Sequence, residues 1–192
     1  MLFAAALLYA AVAIEPSSKA AQHEAVDACT LISPGAIQKT LGEPLQSTKP
    51  TTQTVGEVFF SQCFYALPTF TKSISVAVTA PGPADVHHDA ARHLWEHWFH
   101  HAAAEKDEDS EHEAHGTARN ESEEAEATAK AEPVEGVGDE AFWVRSFVGN
   151  LYVRKGDQFL RISIGGKQKP EERLAAAKAL AGDAVRHMGS KE

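Results

Sequence analysis

The sequence predicts an α+β domain, an antiparallel sheet of about six strands flanked by helices. Three observations carry that expectation. Short strand-like runs are joined by glycine-containing turns, which pair neighbours antiparallel. Segments of helical periodicity close each half of the chain instead of following every strand. Apolar residues make up 43% of the 192, and about 140 residues remain as one domain once an apolar leader and a charged middle stretch are set aside.

The elements follow in order. Ser33-Pro34 offers an N-cap with proline at the first helical position, and Leu41-Gly42-Glu43-Pro44 offers a stop, so a helix is expected over 34–41. Residues 58–67 form an aromatic-rich run with apolar side chains on both faces. In 73–79, Ile74, Val76 and Val78 alternate with small polar residues, the pattern of a half-buried strand, and Pro81-Gly82-Pro83 ends it. A helix is expected over 84–101, with Ala91, Leu94, Trp95, Trp98, Phe99 and Ala102 as its apolar stripe. Residues 103–132 hold no large apolar side chain, so exposed helix and disorder are both open.

A strand is expected over 141–148. Runs 151–154 and 158–164 then flank Lys155-Gly156-Asp157 as a hairpin. Lys169-Pro170-Glu171-Glu172 opens a last helix with acidic residues in its first turn, and Leu174, Ala177, Ala181 and Val185 supply its buried face. Each half ends strand, strand, helix, the trace of a duplication.

Charge narrows the function classes. The formal net charge is −9, and segment 103–132, with eleven acidic and three basic side chains, contributes −8 of it. The remainder is nearly neutral, which argues against an electrostatic nucleic-acid binder and against anchoring to anionic lipid. Residues 1–14 are uncharged, apolar and too short to span a bilayer as a helix. Small residues follow at Ala11-Val12-Ala13 and Ser18-Lys19-Ala20, so 1–20 reads as a secretory signal peptide, although no Lys or Arg precedes the apolar run. The rival is a helix docked on the domain. Residues 21–28 read as a tether, and 29–188 as a single domain interrupted by 103–132.

Only Cys29 and Cys63 are present. In an exported chain an even count favours one disulfide, against the rival of two buried thiols. Closing a loop of about 35 residues would stabilise the fold by roughly 3–4 kcal/mol. Val26-Asp27-Ala28 before Cys29 does not make a lipobox.

Several short stretches carry a family resemblance. They are Cys29-Thr30-Leu31-Ile32-Ser33-Pro34 with a helix ending Leu41-Gly42, then Cys63 in an aromatic strand. Val134-Glu135-Gly136-Val137-Gly138-Asp139-Glu140-Ala141-Phe142-Trp143 follows, and then Leu151-Tyr152-Val153-Arg154-Lys155-Gly156-Asp157 with an Ala/Leu-rich helix. In this order they resemble the secreted bacterial proteins, many of them lipoproteins, grouped as domain-of-unknown-function family 3558. The likeness covers about 29–80 and 134–188. It implies an exported α+β domain with a cysteine bridge and a PsbP-like sheet, and it implies no known activity. The chain departs from the family in lacking the lipobox and in carrying a His-rich acidic insert.

Eight of the ten histidines fall within 87–115. On a helix His93, His97 and His100 or His101 share one face at i, i+4 and i+7 or i+8, near the side opposite the Trp95/Trp98/Phe99 stripe. Two imidazoles at that spacing can share a divalent ion and a third can add a corner, with Glu96 and Glu105 as oxygen donors. Imidazole suits zinc, copper or nickel. The competing reading is a solvated helix face in a His/Glu/Ala-biased sequence. A third is pH sensing, since protonating ten histidines takes the formal charge from −9 to about +1.

His93-Leu94-Trp95-Glu96-His97 also fits H-x-x-E-H, in which two His bind zinc and Glu activates water. A domain of about 140 residues is small for such a peptidase, and Glu96 is equally explained as part of the solvent face. Gly136-Val137-Gly138-Asp139-Glu140-Ala141 satisfies G-x-G-x-x-A, yet Pro133 precedes it and a strand run follows, so it is a turn and not a dinucleotide site. Gly165-Gly166-Lys167 lacks the rest of a phosphate loop, and no G-x-S-x-G elbow occurs. Asn120-Glu121-Ser122 is a glycosylation sequon, meaningful only in a eukaryotic secretory pathway. Phe142 and Trp143 read as core packing at a strand start, with a pocket lining as the rival.

The expectation is therefore a secreted or periplasmic, non-enzymatic binding or interaction module. Its partner would be a protein or small molecule of unknown identity. Nucleic acid is not expected, nor a membrane span once the signal is removed, nor a cofactor other than zinc, copper or nickel on the histidines.

Overall fold

Ser33 acts as its place before Pro34 predicts. Its Oγ accepts from the Ala36 N–H, and α1 (Pro34–Leu41) ends at Gly42, whose left-handed φ of 74° turns its N–H back to the Gln38 carbonyl. This is a computed structural model that describes residues 26–101 and 131–188. The expected signal peptide, most of the tether, Ala102 of the expected apolar stripe and residues 103–130 of the insert lie outside the described residues.

Seven strands form one antiparallel sheet: β1 (Ser47–Val55), β2 (Val58–Ala66), β3 (Ile74–Pro81), β4 (Glu132–Pro133), β5 (Glu140–Val144), β6 (Asn150–Lys155) and β7 (Gln158–Ile164). Their order is β1-β2-β3-β7-β6-β5-β4. Two meanders thus meet at the β3–β7 seam, where Ile74 faces Ile164 and Val78 faces Leu160. The sheet has one strand more than the six expected, and two expected elements, β5 and α2, are markedly shorter than read.

β1 was not anticipated because it is exposed along its whole length and shows no apolar alternation. β5 stops at Val144 instead of reaching Val148, because Ser146 Oγ accepts from the Gly149 N–H and bends the chain. The second helix, α2 (Ala90–Glu96), begins six residues later than expected, followed by a π-turn at His97–His101. Asp85 is the reason. Its buried carboxylate accepts from the backbone N–H of His87 (3.1 Å) and of Ala90 (2.8 Å), which holds the preceding residues in a loop.

Alternation along the strands divides the molecule into two cores. One face carries Val76, Val78, Ala141, Trp143, Leu151, Val153, Leu160 and Ile162, covered by α1 and α3 (Pro170–Met188). The other carries Phe142, Val144, Tyr152 and Phe159, covered by α2 and the π-turn.

Cys29 and Cys63 form a disulfide with Cα atoms 5.0 Å apart. It fastens a 3₁₀ turn (Ala28–Thr30) to β2. Beside it, the buried Tyr65 hydroxyl donates to the Ala28 carbonyl (2.5 Å) and accepts from the Ile32 N–H (3.4 Å). Burial pushes that phenol up to about 12. Ala28 is fully buried and its N–H donates to Ser61 Oγ, so the end of the expected tether is built into the core. Among the described residues no helix is long and apolar enough to cross a membrane.

Candidate functional site

The histidine helix lies on the second face, and aromatic packing sets its position. Trp95 is fully buried, with its ring centroid 4.3 Å from that of Phe99, 5.4 Å from Phe159 and 5.8 Å from Phe142. The wider π-turn lets two consecutive residues reach the sheet. Trp98 meets Tyr152 and Phe159 edge-on, and Phe99 stacks on Phe142 at 4.7 Å.

One carboxylate joins this helix to the sheet. Glu140 Oε2 accepts from the Trp95 indole N–H at 2.7 Å, and its Oε1 lies 3.1 Å from His100 Nε2. The Arg154 guanidinium stands 3.6 Å away on the same strand pair. Burial opposes ionisation of Glu140, but the indole, the imidazole and the guanidinium together outweigh it and hold the carboxyl below its ordinary value. Both oxygens are thereby engaged, so Glu140 anchors a helix and does not stand free as a general base.

Of the four histidines singled out by spacing, the three with described side chains are not drawn to one point. His93 Nε2 turns back 3.2 Å to Asp89 on its own helix, while His100 approaches Glu140, with Glu96 at 3.9 Å. His97 is exposed, and the His101 side chain lies outside the described residues. No group of three or more His, Cys, Asp or Glu placed to hold a metal ion occurs among the described residues. In the H-x-x-E-H stretch, His93 answers to Asp89 and Glu96 faces His100. Phe142 and Trp143 point to opposite faces, each into a core.

Two surface features lie outside the histidine helix. At the end of the sheet where β5 gives way to β6, Phe147 is 97% exposed. Its loop is nevertheless fixed: Arg173 Nη1 donates to the carbonyls of Phe147 (3.0 Å) and Val148 (2.8 Å). Gly149, at φ 72°, presses so close to Trp143 that a Cβ would lie 2.2 Å from the indole. Phe70, 73% exposed, stands at the same end in the β2–β3 connection, its ring 5.8 Å from Phe64. On the first face, a depression of about 350 Å³ opens between β1 and the start of the 3₁₀ turn, lined by Val26, Asp27, Pro50, Thr52, Phe59 and Ser61 among others.

Sequence reasoning did not single out Glu140 or Arg154, since the contacts of Glu140 with Trp95 and His100 span the whole insert and Arg154 joins them only through Glu140. It read Phe147 as a strand residue. The signal for that residue was Gly149, a break two residues on. Comparison with protein-family models, with curated proteins and with solved structures finds no match to this chain.

Proposed function

We propose that the protein is an exported, non-enzymatic interaction module that docks a partner protein through the end of the sheet displaying Phe147. The observation that carries this is the pairing of near-complete exposure with a fixed backbone at Phe147. A large aromatic held outward at small entropic cost is the usual anchor of a protein interface. The feature is convex, which fits a protein partner with a pocket better than a small molecule, whose sites are concave. Lys167 and Lys169, exposed in the connection from β7 to α3 at the same end, fit a pocket with an acidic rim.

Export is supported by the apolar leader and by the disulfide, which persists in oxidising compartments. It agrees with what the resemblance to family 3558 implies, an exported domain with no assigned activity.

The test is site-specific photo-crosslinking in exporting cells, with the probe placed at residue 147 and, as a control, at the exposed helix position 172. A discrete adduct at 147 that excess parent protein suppresses and Phe147→Asp protein does not is the expected result. Equal labelling at 147 and 172, or suppression by both competitors, would refute the docking role.

A further inference from the structure

We infer that the depression beside the 3₁₀ turn is a binding site for a neutral saccharide. It encloses about 350 Å³ between β1, β2 and residues 26–27, within the span of about 300–1,000 Å³ usual for small-ligand sites. The strand register builds its floor. Thr52 pairs with Ser61 and Pro50 with Cys63, so these side chains share the face on which the bridge lies. Phe59, two residues before Ser61, joins them. The wall is fastened from below. The Cys29–Cys63 bridge, the Ala28 N–H to Ser61 Oγ bond (3.0 Å) and the Tyr65 hydroxyl on the Ala28 carbonyl fix the turn that follows Asp27. The site is thus formed before any ligand arrives.

Part of the lining's hydrogen-bonding capacity is unused. Ser61 is only 1% exposed and its Oγ accepts from the Ala28 N–H, yet its hydroxyl proton meets no acceptor among the described residues. A buried donor left in that state is uncommon and points to a missing partner. Asp27 commits Oδ1 to the Cys29 N–H at 2.8 Å and keeps Oδ2 unengaged among the described residues. Thr52, exposed beside Ser61, adds a hydroxyl that both donates and accepts.

This inventory selects the ligand class. An ammonium or guanidinium only donates, so it would answer Asp27 and leave the Ser61 proton unmet. A carboxylate or phosphate only accepts, would be repelled by Asp27, and finds no basic side chain in the lining. Neighbouring hydroxyl groups do both: one donates to Asp27 Oδ2 while another accepts from Ser61. Phe59, Pro50 and Val26 supply the apolar surface against which the C–H face of a sugar ring packs. None of these residues belongs to the loop that displays Phe147, so this site and the docking role stand or fall separately.

Amide NMR of the isotope-labelled, bridged chain tests this, with the methyl glycosides of glucose, galactose, mannose and N-acetylglucosamine as probes. Putrescine and inorganic phosphate serve as the cation and anion arms. At least one glycoside should move the signals of Asp27, Cys29, Thr52 and Ser61 saturably, and neither ion should. Asp27→Asn keeps a side-chain oxygen for the Cys29 N–H and should weaken that glycoside about tenfold. Thr52→Val keeps the branched strand residue and should weaken it about fivefold. If a variant fails to fold, the map of shifts in the parent decides alone. The inference is overturned if no glycoside shifts these signals, if putrescine or phosphate shifts them as strongly, or if both folded variants bind like the parent.

Discussion

The two faces of the sheet are built differently. The face under α1 and α3 is aliphatic, closed by the bridge and by Tyr65, and its one buried carboxylate, Asp183, is tied to the Ser33 N–H and Oγ at 2.9 Å each. The face under α2 is aromatic, and it meets the helix through a partly exposed carboxylate beside an imidazole. Each face therefore carries a carboxylate held below its ordinary value against the opposing effect of burial, Asp183 by the Ser33 N–H and hydroxyl and Glu140 by the Trp95 indole and His100. The first carboxylate ties α3 to the start of α1 within an aliphatic core, and the second fastens α2 to an aromatic one.

Three measurements would break or sharpen that contrast. Leu160→Ala, at a fully buried position of the first core, should cost about 2–5 kcal/mol in urea unfolding. A smaller loss would show that this face is not the main source of stability. Replacing both cysteines by alanine should remove roughly 3–4 kcal/mol, read from the denaturation midpoint of the unbridged protein. Trp95→Phe takes the indole donor from Glu140 and should cost about 1.5 kcal/mol near neutral pH.

That last difference should depend on pH. Glu140 is held below its ordinary value, so its contribution is complete above the unfolded carboxyl range and is lost as pH falls through the lower folded value. Parent and variant midpoints should therefore draw together in acid. An unchanged gap would mean that Glu140 is not what the indole holds.

The legible parts of the molecule were those written in local chemistry. Ser33-Pro34 and Gly42 bound α1 at the expected residues, and the Gly156 turn fixes the β6–β7 hairpin, with β7 spanning 158–164 as read. Misreadings arose where a distant or polar interaction overrides the pattern. Asp85 competes for the N–H groups that would have started α2. β1 owes its existence to pairing with β2, not to any face it buries. The histidine spacing was visible, but its partners were not: Glu140 is brought to His100 by the sheet order, which no local pattern encodes.

Gly149 couples the outermost aromatic ring to one of the innermost. There is no room for even a methyl group between its α-carbon and the Trp143 indole, two residues along the chain from Phe147. A partner seated on Phe147 in the way proposed is expected to shift the emission of this shielded indole, read in a chain whose Trp95 and Trp98 are replaced by Phe.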